Sequence, residues 1–261
     1  MSAARCWIGT SGWSYSHWAG GRFYPKGLAS RDWLRYYAGH FPTVEVNASF
    51  YRLPTEAMVA RWAEVAPRGF TFAVKLWRRI THEKRLADCR EPLEAYFRRV
   101  APLRSHRGPL LVQLPPSFRR DDERLVAFLD ELRSVLGRQR WRIAIEFRSR
   151  DWICPEVYEL LTRRRVAVVL ADWPRCEVRT PNDAPFVYIR RHGPGGRYRG
   201  CYSDEHLARD AEEIRGWLRE GREVFAYFNN DVEGHAVDNA RRLMALVGPP
   251  CRPALRATRR R

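Results

Sequence analysis

The sequence predicts a single α/β domain folded as a (β/α)8 barrel of the TIM type. Eight apolar segments of strand length recur along the 261 residues, and helical patterns lie between most of them. Strands that alternate with helices form parallel sheets, because each helical crossover returns the chain to the same end of the sheet. Eight strands favour closure into a barrel over an open, doubly wound sheet.

The predicted strands are rich in β-branched, leucine and aromatic side chains, and turn-forming residues separate them. They span residues 6–9, 43–47, 70–76, 110–114, 142–147, 166–172, 186–192 and 223–229. Residues 1–250 form one predicted domain, because no linker or change in composition divides them. We expect residues 251–261 to form a basic, disordered tail.

Helix-start signals support the segments between the strands. Ser30 precedes one helical pattern, Thr55 precedes "EAMVARWAEVA", and Pro92 lies in the first turn of a third. The last helix spans about 235–247, and Gly248 and Pro249 end it. The sixth unit, "DWPRCEVRTPNDAP", is interrupted by prolines and has no helical period. The barrel is therefore expected to be irregular there.

The formal net charge of +17 indicates anionic partners. A positive field concentrates phosphates, nucleic acids and acidic metabolites. Five arginines lie in the predicted tail, so the body of the chain is basic as well. The alternative stays open that the surface is basic without a partner, as in an arginine-rich proteome.

Neither a membrane span nor an export signal is visible in the sequence. No apolar run reaches the length of about 18 residues that a transmembrane helix needs. The start, "MSAARCWIGTSGW", lacks the apolar core of a secretion signal. The six cysteines are scattered without a C-x-x-C pair, which indicates reduced thiols rather than disulfides or a zinc site. We therefore expect a cytoplasmic protein with no membrane partner; the oligomeric state is left open.

Polar side chains recur with a period of two near the ends of the predicted strands. In a barrel, alternate residues point inward and the carboxyl ends of the strands form the active site. The set comprises Glu45, Asn47, Lys75, Gln113, Glu146, Asp172, Arg190, His192, Tyr227 and Asn229. We expect one polar pocket at this mouth. An internal ion network without a substrate is the alternative, although buried charges are costly unless they are paired.

Two loops offer further candidate sites. In "RRHGPGGRYRG", glycines and arginines together could bind an anion beside the seventh strand. The aromatic loop "SGWSYSHWAGGRFYP", which contains Trp13, could stack sugars or bases or simply plug the barrel. No H-x-H or H-x-x-x-H pair is present, so neither a metal site nor a cofactor is predicted, and a divalent metal assembled from separate strands is not excluded.

A series of motifs resembles the YecE-like proteins, which are classified as domain of unknown function 72. In order, these are "IGTSGWSYSHW", "FYP", "VEVNASFYRLP", "FAVKLWRRITHEKRL", "LLVQLPPSF", "AIEFRSRDW", "YIRRHG", "YFNND" and "AVDNA". The resemblance runs from about Trp7 to Leu246 and implies a TIM-type barrel in a soluble bacterial or archaeal protein. It implies no activity, and the arginine-rich tail lies outside the pattern.

Positions that match these motifs gain support as site residues. They are Glu45, Asn47, Lys75, Thr81, His82, Gln113, Glu146, Arg148, Asp172, Arg190, His192, Gly193, Asn229 and Asn230. His82 and Arg148 join the candidate binding residues because of this resemblance. Gly193 joins them because of the resemblance and because it lies in the glycine- and arginine-rich loop. Asn230, with Asp231, is interpreted first as a turn residue before the last helix.

Three functions are compatible with these residues. The first is a hydrolase or lyase acting on an anionic, phosphorylated or nucleic-acid-like substrate; Lys75 and Arg190 would hold the charge and Glu146 or Asp172 would transfer protons. The second is a glycoside hydrolase that uses two of Glu45, Glu146 and Asp172. Lys75 could instead form a Schiff base if its pKa is depressed. The third is a non-catalytic binder of single-stranded nucleic acid.

Overall fold

The structure is a computed structural model that describes residues 5–251, and it confirms the predicted barrel. Eight parallel strands follow one another in the order β1-β9-β8-β6-β5-β4-β3-β2, and a ninth short strand, β7, pairs with β6. The strands are β1 (Cys6–Thr10), β2 (Thr43–Val46), β3 (Thr71–Lys75), β4 (Arg107–Gln113), β5 (Ile143–Glu146), β6 (Val166–Trp173), β7 (Cys176–Glu177), β8 (Phe186–Arg191) and β9 (Glu223–Phe228).

Helices cover the outside of the barrel. The α-helices are α1 (Trp33–Ala38), α2 (Ala48–Tyr51), α3 (Glu56–Val65), α4 (Arg90–Val100), α5 (Asp122–Leu136), α6 (Pro155–Arg163), α7 (Asp204–Arg219) and α8 (His235–Val247). Thr55 caps α3 as predicted, since its side chain accepts a hydrogen bond from the amide of Met58 at 3.2 Å. A π-helix, Arg79–Glu83, follows β3 and carries two of the candidate residues.

The barrel closes between β1 and β2 around the side chain of Tyr37. A bridge between Ser11 and Glu45 joins the two strands at one end. Lower down, the Tyr37 hydroxyl accepts a hydrogen bond from the Thr10 amide at 2.9 Å and donates to the Thr43 carbonyl at 3.1 Å. Gly9 permits this close approach, because a Cβ there would lie 2.2 Å from the Thr43 carbonyl oxygen.

The interior of the barrel and its outer layer form two separate hydrophobic clusters. The inner cluster contains small and aromatic side chains such as Ala73, Ala144 and Phe225. The outer cluster, between strands and helices, contains the alternate positions, for example Phe72 and Ile145. Because alternation holds along most strands, the direction of a polar side chain follows from its neighbours in sequence.

The sixth unit is irregular, as predicted, and its crossover contains no α-helix. The chain turns after β6 into an antiparallel hairpin with β7, pairing Asp172 with Glu177 and Trp173 with Cys176. The Asn182 side chain then stabilises the connection: its Oδ1 accepts from the Val168 amide at 2.8 Å, and its amide donates to the Val166 carbonyl at 2.9 Å. The side chain of Asn182 thus fixes this connection to the backbone of β6, in a unit that has no crossover helix.

The prediction that all cysteines are reduced thiols is wrong for one pair. Cys6 and Cys251 form a disulfide, with Cα atoms 4.7 Å apart and a sequence separation of 245. Both side chains are buried where β1 begins, so the fold brings together residues that no local spacing relates. Of the predicted tail, residues 252–261 lie outside the described part. No helix within residues 5–251 is long and apolar enough to cross a membrane.

Candidate active site at the mouth of the barrel

Arg190 connects two glutamates inside the carboxyl end of the barrel. Its Nε donates to Glu45 Oε2 at 3.0 Å and its Nη2 donates to Glu45 Oε1 at 2.8 Å. Its Nη1 donates to Glu146 Oε2 at 2.6 Å. The three side chains are at most 1% exposed. Strands β2, β5 and β8 thus supply a buried ion network, as the alternation predicted.

Additional donors hold Glu45 in its ionised form. The Tyr188 hydroxyl donates to Oε2 at 2.6 Å, and the Ser11 hydroxyl donates to Oε1 at 2.7 Å. Burial alone would raise the pKa of Glu45, but the charge and hydrogen bonds of Arg190 outweigh it, and the pKa lies below its ordinary value. Burial would also raise the pKa of Glu146, but the guanidinium groups of Arg148 and Arg190 hold this pKa below its ordinary value.

Arg148 is the second cation of this network, and it is partly turned toward the opening. Its Nε contacts Glu146 Oε1, and its guanidinium carbon lies 3.8 Å from the ring centre of Trp173. Its Nη2 lies 3.0 Å from His192 Nε2. Among residues 5–251, its Nη1 has no hydrogen-bond acceptor, which leaves one edge of the guanidinium available to an anion.

His192 is a neutral, buried acceptor between two arginines. Its Nδ1 lies 3.1 Å from Asp172 Oδ1, and its Nε2 faces the Nη1 of Arg190 at 3.2 Å and the Nη2 of Arg148 at 3.0 Å. Burial lowers the pKa of His192, and the carboxylates of Asp172 and Glu146 offset this only in part. An Nδ1–H directed at Asp172 leaves Nε2 as the acceptor that both guanidinium groups require.

Asp172 does not point into the barrel, contrary to the sequence prediction. Ala171 belongs to the inner cluster, so Asp172 faces the helices; its carboxylate accepts from the His192 amide at 2.7 Å and contacts the Tyr202 hydroxyl. The inward position at the end of β6 is Trp173. The prediction failed because the inward positions of β6 are those of Ala167, Val169 and Ala171, and alternation then directs Asp172 outward. Asp172 therefore orients His192 from behind.

Lys75 ends β3 with its ammonium group at the mouth. Its Nζ donates to Gln113 Oε1 at 2.7 Å and lies 3.9 Å from the centre of the Phe50 ring. An ammonium group has three donors, and Gln113 is its one hydrogen-bond acceptor within residues 5–251. Burial, followed by the charge of Arg190, lowers the pKa of Lys75 to about 7. The neutral amine is therefore accessible near neutral pH.

The backbone around Lys75 is fixed by buried hydroxyl groups. Its carbonyl oxygen accepts from Ser49 Oγ at 2.8 Å and from the Tyr96 hydroxyl at 3.0 Å. Lys75 as a whole is 8% exposed, so this strand end is buried. Lys75 is also unusual for this chain: with Lys26 and Lys84 it is one of three lysines, and every other basic side chain among the 47 is arginine.

Three amide or imidazole side chains lie at the carboxyl ends of the strands, and two of them, Asn47 and His82, are near Lys75. Asn47 directly follows β2, whose Val46 pairs with Val74, so it lies beside Lys75; its buried Oδ1 has no hydrogen-bond donor within residues 5–251. His82 packs on Phe50 with ring centres 4.9 Å apart, and burial and then Lys75 lower its pKa to about 4. Asn229 follows β9 and is half-buried. The unpartnered Oδ1 of Asn47 is an acceptor beside Lys75 that a ligand donor could satisfy.

Other predicted binding residues lie away from this group. Trp13 packs on Trp62 of α3, with ring centres 5.4 Å apart, rather than in the mouth. Tyr227 is fully buried in the inner cluster, where its hydroxyl lies 2.9 Å from Thr43 Oγ1. Most of the first loop is a plug: Trp18 and Tyr24 are fully buried. The rings of Trp18 and Tyr24 are therefore unavailable for stacking on bases or sugars, whereas Trp13 and Tyr15 are partly buried.

The glycine- and arginine-rich loop does not form the expected anion cradle. The Gly193 amide donates to the Tyr202 hydroxyl at 2.6 Å, and the Gly196 and Tyr198 amides donate to carbonyl groups of the same loop at 2.6 and 2.7 Å. Arg191 is ion-paired with Asp210 of α7 at 2.5 Å. Gly193 has φ +94°, and a Cβ there would lie 2.3 Å from the Arg199 carbonyl oxygen. The conformation of the loop therefore requires glycine at position 193.

Several residues of the site lie outside the set predicted from the sequence. Tyr188 shares the inward face with Arg190, so the alternation that selected Arg190 also selects it. Trp173 and Tyr202 depend on the hairpin and on a distant loop, which no local pattern reveals. Asn230 is buried, and its amide donates to the Gly200 carbonyl at 2.7 Å, consistent with a turn role. No cluster of metal-ligating side chains occurs within residues 5–251.

Comparisons with known proteins place the chain among uncharacterised relatives. The profile of the family described as "Protein of unknown function DUF72" matches residues 7–260, which includes most of the arginine-rich tail and corrects the expectation that the tail lies outside the family pattern. UPF0759 protein YunF of Bacillus subtilis is 28% identical over 272 residues, covering 92% of this chain and 94% of YunF. UPF0759 protein YecE of Escherichia coli K12 is 34% identical over 127 residues, covering 48% of this chain and 44% of YecE.

Solved structures agree on the fold. The crystal structure of a DUF72 family protein from Thermotoga maritima aligns with a TM-score of 0.83 at 28% identity, covering 94% of this chain and all of that one. A DUF72 family protein from Enterococcus faecalis aligns with a TM-score of 0.79 at 24% identity, covering 94% of this chain and 96% of that one, which shows the fold alone. Neither name states an activity.

Proposed function

This chain belongs to the DUF72 family, and on that premise we propose that its barrel mouth is the active site of an enzyme acting on a small anionic carbonyl compound. The observation that carries the proposal is the amine of Lys75. It ends a barrel strand, it has a pKa of about 7, and it uses one of its three possible hydrogen bonds. A lysine that is desolvated and close to other cations is a nucleophile at neutral pH.

Anion binding at the mouth rests on Arg148 and on the protonated fraction of Lys75. The free edge of the Arg148 guanidinium suits a carboxylate or phosphate oxygen. Lys75 ends β3 and Arg148 lies two residues after Glu146 at the end of β5. Burial lowers the pKa of Lys75 most, and the positive charges of Arg190 and Arg148 lower it further. An anionic substrate would relieve this repulsion, which supports an acidic over a neutral ligand.

The chemistry is of the lyase type. The neutral amine adds to the carbonyl carbon, and one proton moves from its nitrogen to the carbonyl oxygen. A second proton from solvent allows this oxygen to leave as water, and a protonated imine remains on Lys75. This imine withdraws electrons from the adjacent carbon, so that a C–C or C–H bond there can break. His82 is neutral near pH 7, because its pKa is about 4, and it lies against the same Phe50 ring as Lys75. We assign it the role of proton acceptor at the rim.

The glutamates are supports in this proposal rather than acids or bases. Glu45 and Glu146 are sealed from solvent, ionised and held by one guanidinium group. A glycoside hydrolase needs an acid with a raised pKa and a sugar or a water between its two carboxyl groups. Here both carboxyl groups have lowered pKa values and Arg190 occupies the space between them. These observations disfavour the sugar hydrolase.

Reductive trapping tests this proposal with pyridoxal 5′-phosphate as an anionic aldehyde probe. Borohydride should fix the probe to Lys75 near neutral pH, and inorganic phosphate should reduce the labelling. The chain contains its own controls, since Lys26 and Lys84 report on non-selective modification. Peptide mapping of the wild type, Lys75→Met and Lys84→Arg identifies the labelled amine. Label confined to Lys26 and Lys84, with Lys75 unmodified, would remove the amine from the mechanism.

A further inference from the structure

The end of the barrel opposite Lys75 carries a cleft lined by arginine. The cleft has a volume of about 1030 Å³ and lies where α5 ends and where β5, β6, β8 and β9 begin. Its charged lining consists of Arg133, Arg138, Arg140, Arg142, Arg165 and Glu223. We call these residues with the recess between them the arginine cleft. Five cations and a single carboxylate make it strongly positive.

Most of these arginines lack a carboxylate partner. Arg142 is paired with Glu223, Nε to Oε2 at 2.5 Å. No carboxylate of residues 5–251 lies within ion-pair distance of the other four arginines of the cleft. Some exposed arginines elsewhere are paired: Arg61 lies 3.0 Å from Glu64, and Arg90 lies 3.2 Å from Glu94. In the cleft, four arginines without a carboxylate partner among residues 5–251 share one recess.

Two turns of the backbone place three of these arginines in the lining of the cleft. Arg165 has φ +54°, in the left-handed region where glycine or asparagine is the usual residue. This conformation costs about 1 kcal/mol for a residue with a side chain. Gly137 ends α5, also with positive φ, and the exposed loop that follows contains Arg138 and Arg140. Two tight turns thus present their guanidinium groups to one recess.

The cleft also has an apolar floor. Leu136, Trp141 and Pro185 line it together with the arginines. The indole Nε1 of Trp141 is buried and has no hydrogen-bond acceptor among the described residues. Guanidinium groups around an aromatic floor suit single-stranded nucleic acid, whose phosphates contact the cations and whose bases stack on the ring. A duplex cannot bring its paired bases to a recessed floor.

An anionic membrane surface fits the cleft less well. Membrane-binding surfaces combine cations with protruding apolar side chains that enter the lipid. The large exposed apolar side chains of residues 5–251 are Tyr51, Met58, Tyr198, Val232 and Leu246. None of them lines the cleft. Of its apolar lining residues, Leu136 is buried and Trp141 is partly buried, which favours a ligand that enters the cleft.

The chain leaves the described fold at the same end of the barrel. Cys6 begins β1, and its disulfide holds Cys251 beside it. Five arginines follow in residues 252–261. The amino ends of the strands therefore hold both the arginine cleft and the point from which the basic tail departs.

We propose that the arginine cleft binds the phosphodiester backbone of single-stranded nucleic acid, independently of the chemistry at the mouth. Counterion release then makes the affinity depend steeply on salt, with a slope of about 0.7 in log–log form for each phosphate contact. The ligand would lie at one end of the barrel while a small substrate binds at the other.

Fluorescence anisotropy of a short labelled oligothymidylate, measured against salt with the full chain, tests this site. Arg138→Ala, Arg140→Ala and Arg165→Ala combined should weaken binding about tenfold or more and lower the salt slope by about 2. The matched control combines Arg61→Ala, Arg90→Ala and Arg163→Ala, three exposed arginines paired on helices, and removes the same charge. Lys75→Met should leave binding unchanged.

Several outcomes would overturn the proposal. An equal loss in both triple variants would mean that net charge alone matters. Loss only after truncation at Cys251, with the cleft variants unaffected, would place binding on the tail. Tighter binding of duplex DNA, or of phosphatidylserine vesicles, than of the oligothymidylate would contradict the single-stranded ligand. Circular dichroism of each variant establishes that a lost signal is not lost folding.

Discussion

The guanidinium group of Arg190 lies against the carboxylate of Glu45 through two parallel hydrogen bonds, at 3.0 and 2.8 Å, deep in the carboxyl end of the barrel. Glu146 takes the remaining end of the same guanidinium at 2.6 Å. Three strands that are distant in sequence are thereby joined by one side chain. Arg148 extends this network, since its Nε contacts the second carboxylate oxygen of Glu146.

Removing the cation of this network should destabilise the fold. Arg190→Met leaves two buried carboxylates without a counter-charge, and breaking a buried pair costs about 3–5 kcal/mol. Urea unfolding followed by tryptophan fluorescence measures the loss. The double variant Glu45→Gln and Arg190→Met should recover part of it, because one unpaired charge is removed as well. A loss no larger than that of Arg61→Met, an exposed control, would contradict the buried network.

The same network should make the free energy of unfolding decrease at low pH. The pKa values of Glu45 and Glu146 are lowered in the folded state, against a value of about 4.3 in unfolded chains. Their contribution is therefore complete above that value and is lost as the pH falls through the folded pKa values. The free energy of unfolding of the wild type should approach that of Glu146→Gln as the medium is acidified. A difference between them that is independent of pH would contradict this.

Lys75 should destabilise the folded protein at neutral pH, because its pKa is lowered in the folded state. Its folded pKa of about 7 lies below the value of about 10.4 in unfolded chains, so the unfolded state binds more protons between these values. The contribution of Lys75 is fully present above the unfolded pKa and is lost as the pH falls toward 7. Lys75→Met should therefore be more stable than the wild type at neutral pH, and the gain should shrink in alkaline buffer. A destabilised variant at neutral pH would show instead a structural role.

The hydroxyl of Tyr37 should hold the seam of the barrel. Tyr37→Phe leaves the Thr10 amide and the Thr43 carbonyl without their buried partner, which costs about 1–3 kcal/mol. Tyr36→Phe on the same helix is the matched control, because Tyr36 is only partly buried. Chemical unfolding compares the two. Equal effects would mean that the seam does not depend on this hydroxyl group.

Much of the barrel can be predicted from the sequence, because strand alternation and helix caps are local signals. The same alternation correctly selects Glu45, Lys75, Gln113, Glu146 and Arg190 as inward residues. It also explains why the prediction for Asp172 is wrong, because Ala167, Val169 and Ala171 face inward and Asp172 therefore faces outward. It cannot separate Arg190, which is fully paired, from Lys75, which is not. That distinction depends on distances between strands.

Other features have no local signal at all. The disulfide joins residues 245 positions apart, so cysteine spacing does not indicate it. The arginine cleft combines a helix end with the beginnings of four strands, and in the sequence its arginines are indistinguishable from the many others. The amides of the glycine-rich loop are used within the loop, which composition alone does not reveal.

The most direct test is the ionisation of Lys75 itself. With lysine labelled by ¹³C at Cε, the spectrum of this chain contains the signals of only three lysines, and Lys75→Met, Lys26→Arg and Lys84→Arg assign them. The Lys75 signal should titrate with a midpoint of about 7, and an added phosphate ion should shift that midpoint upward. A midpoint near the ordinary lysine value of about 10.4, unaffected by phosphate, would contradict the proposed active site.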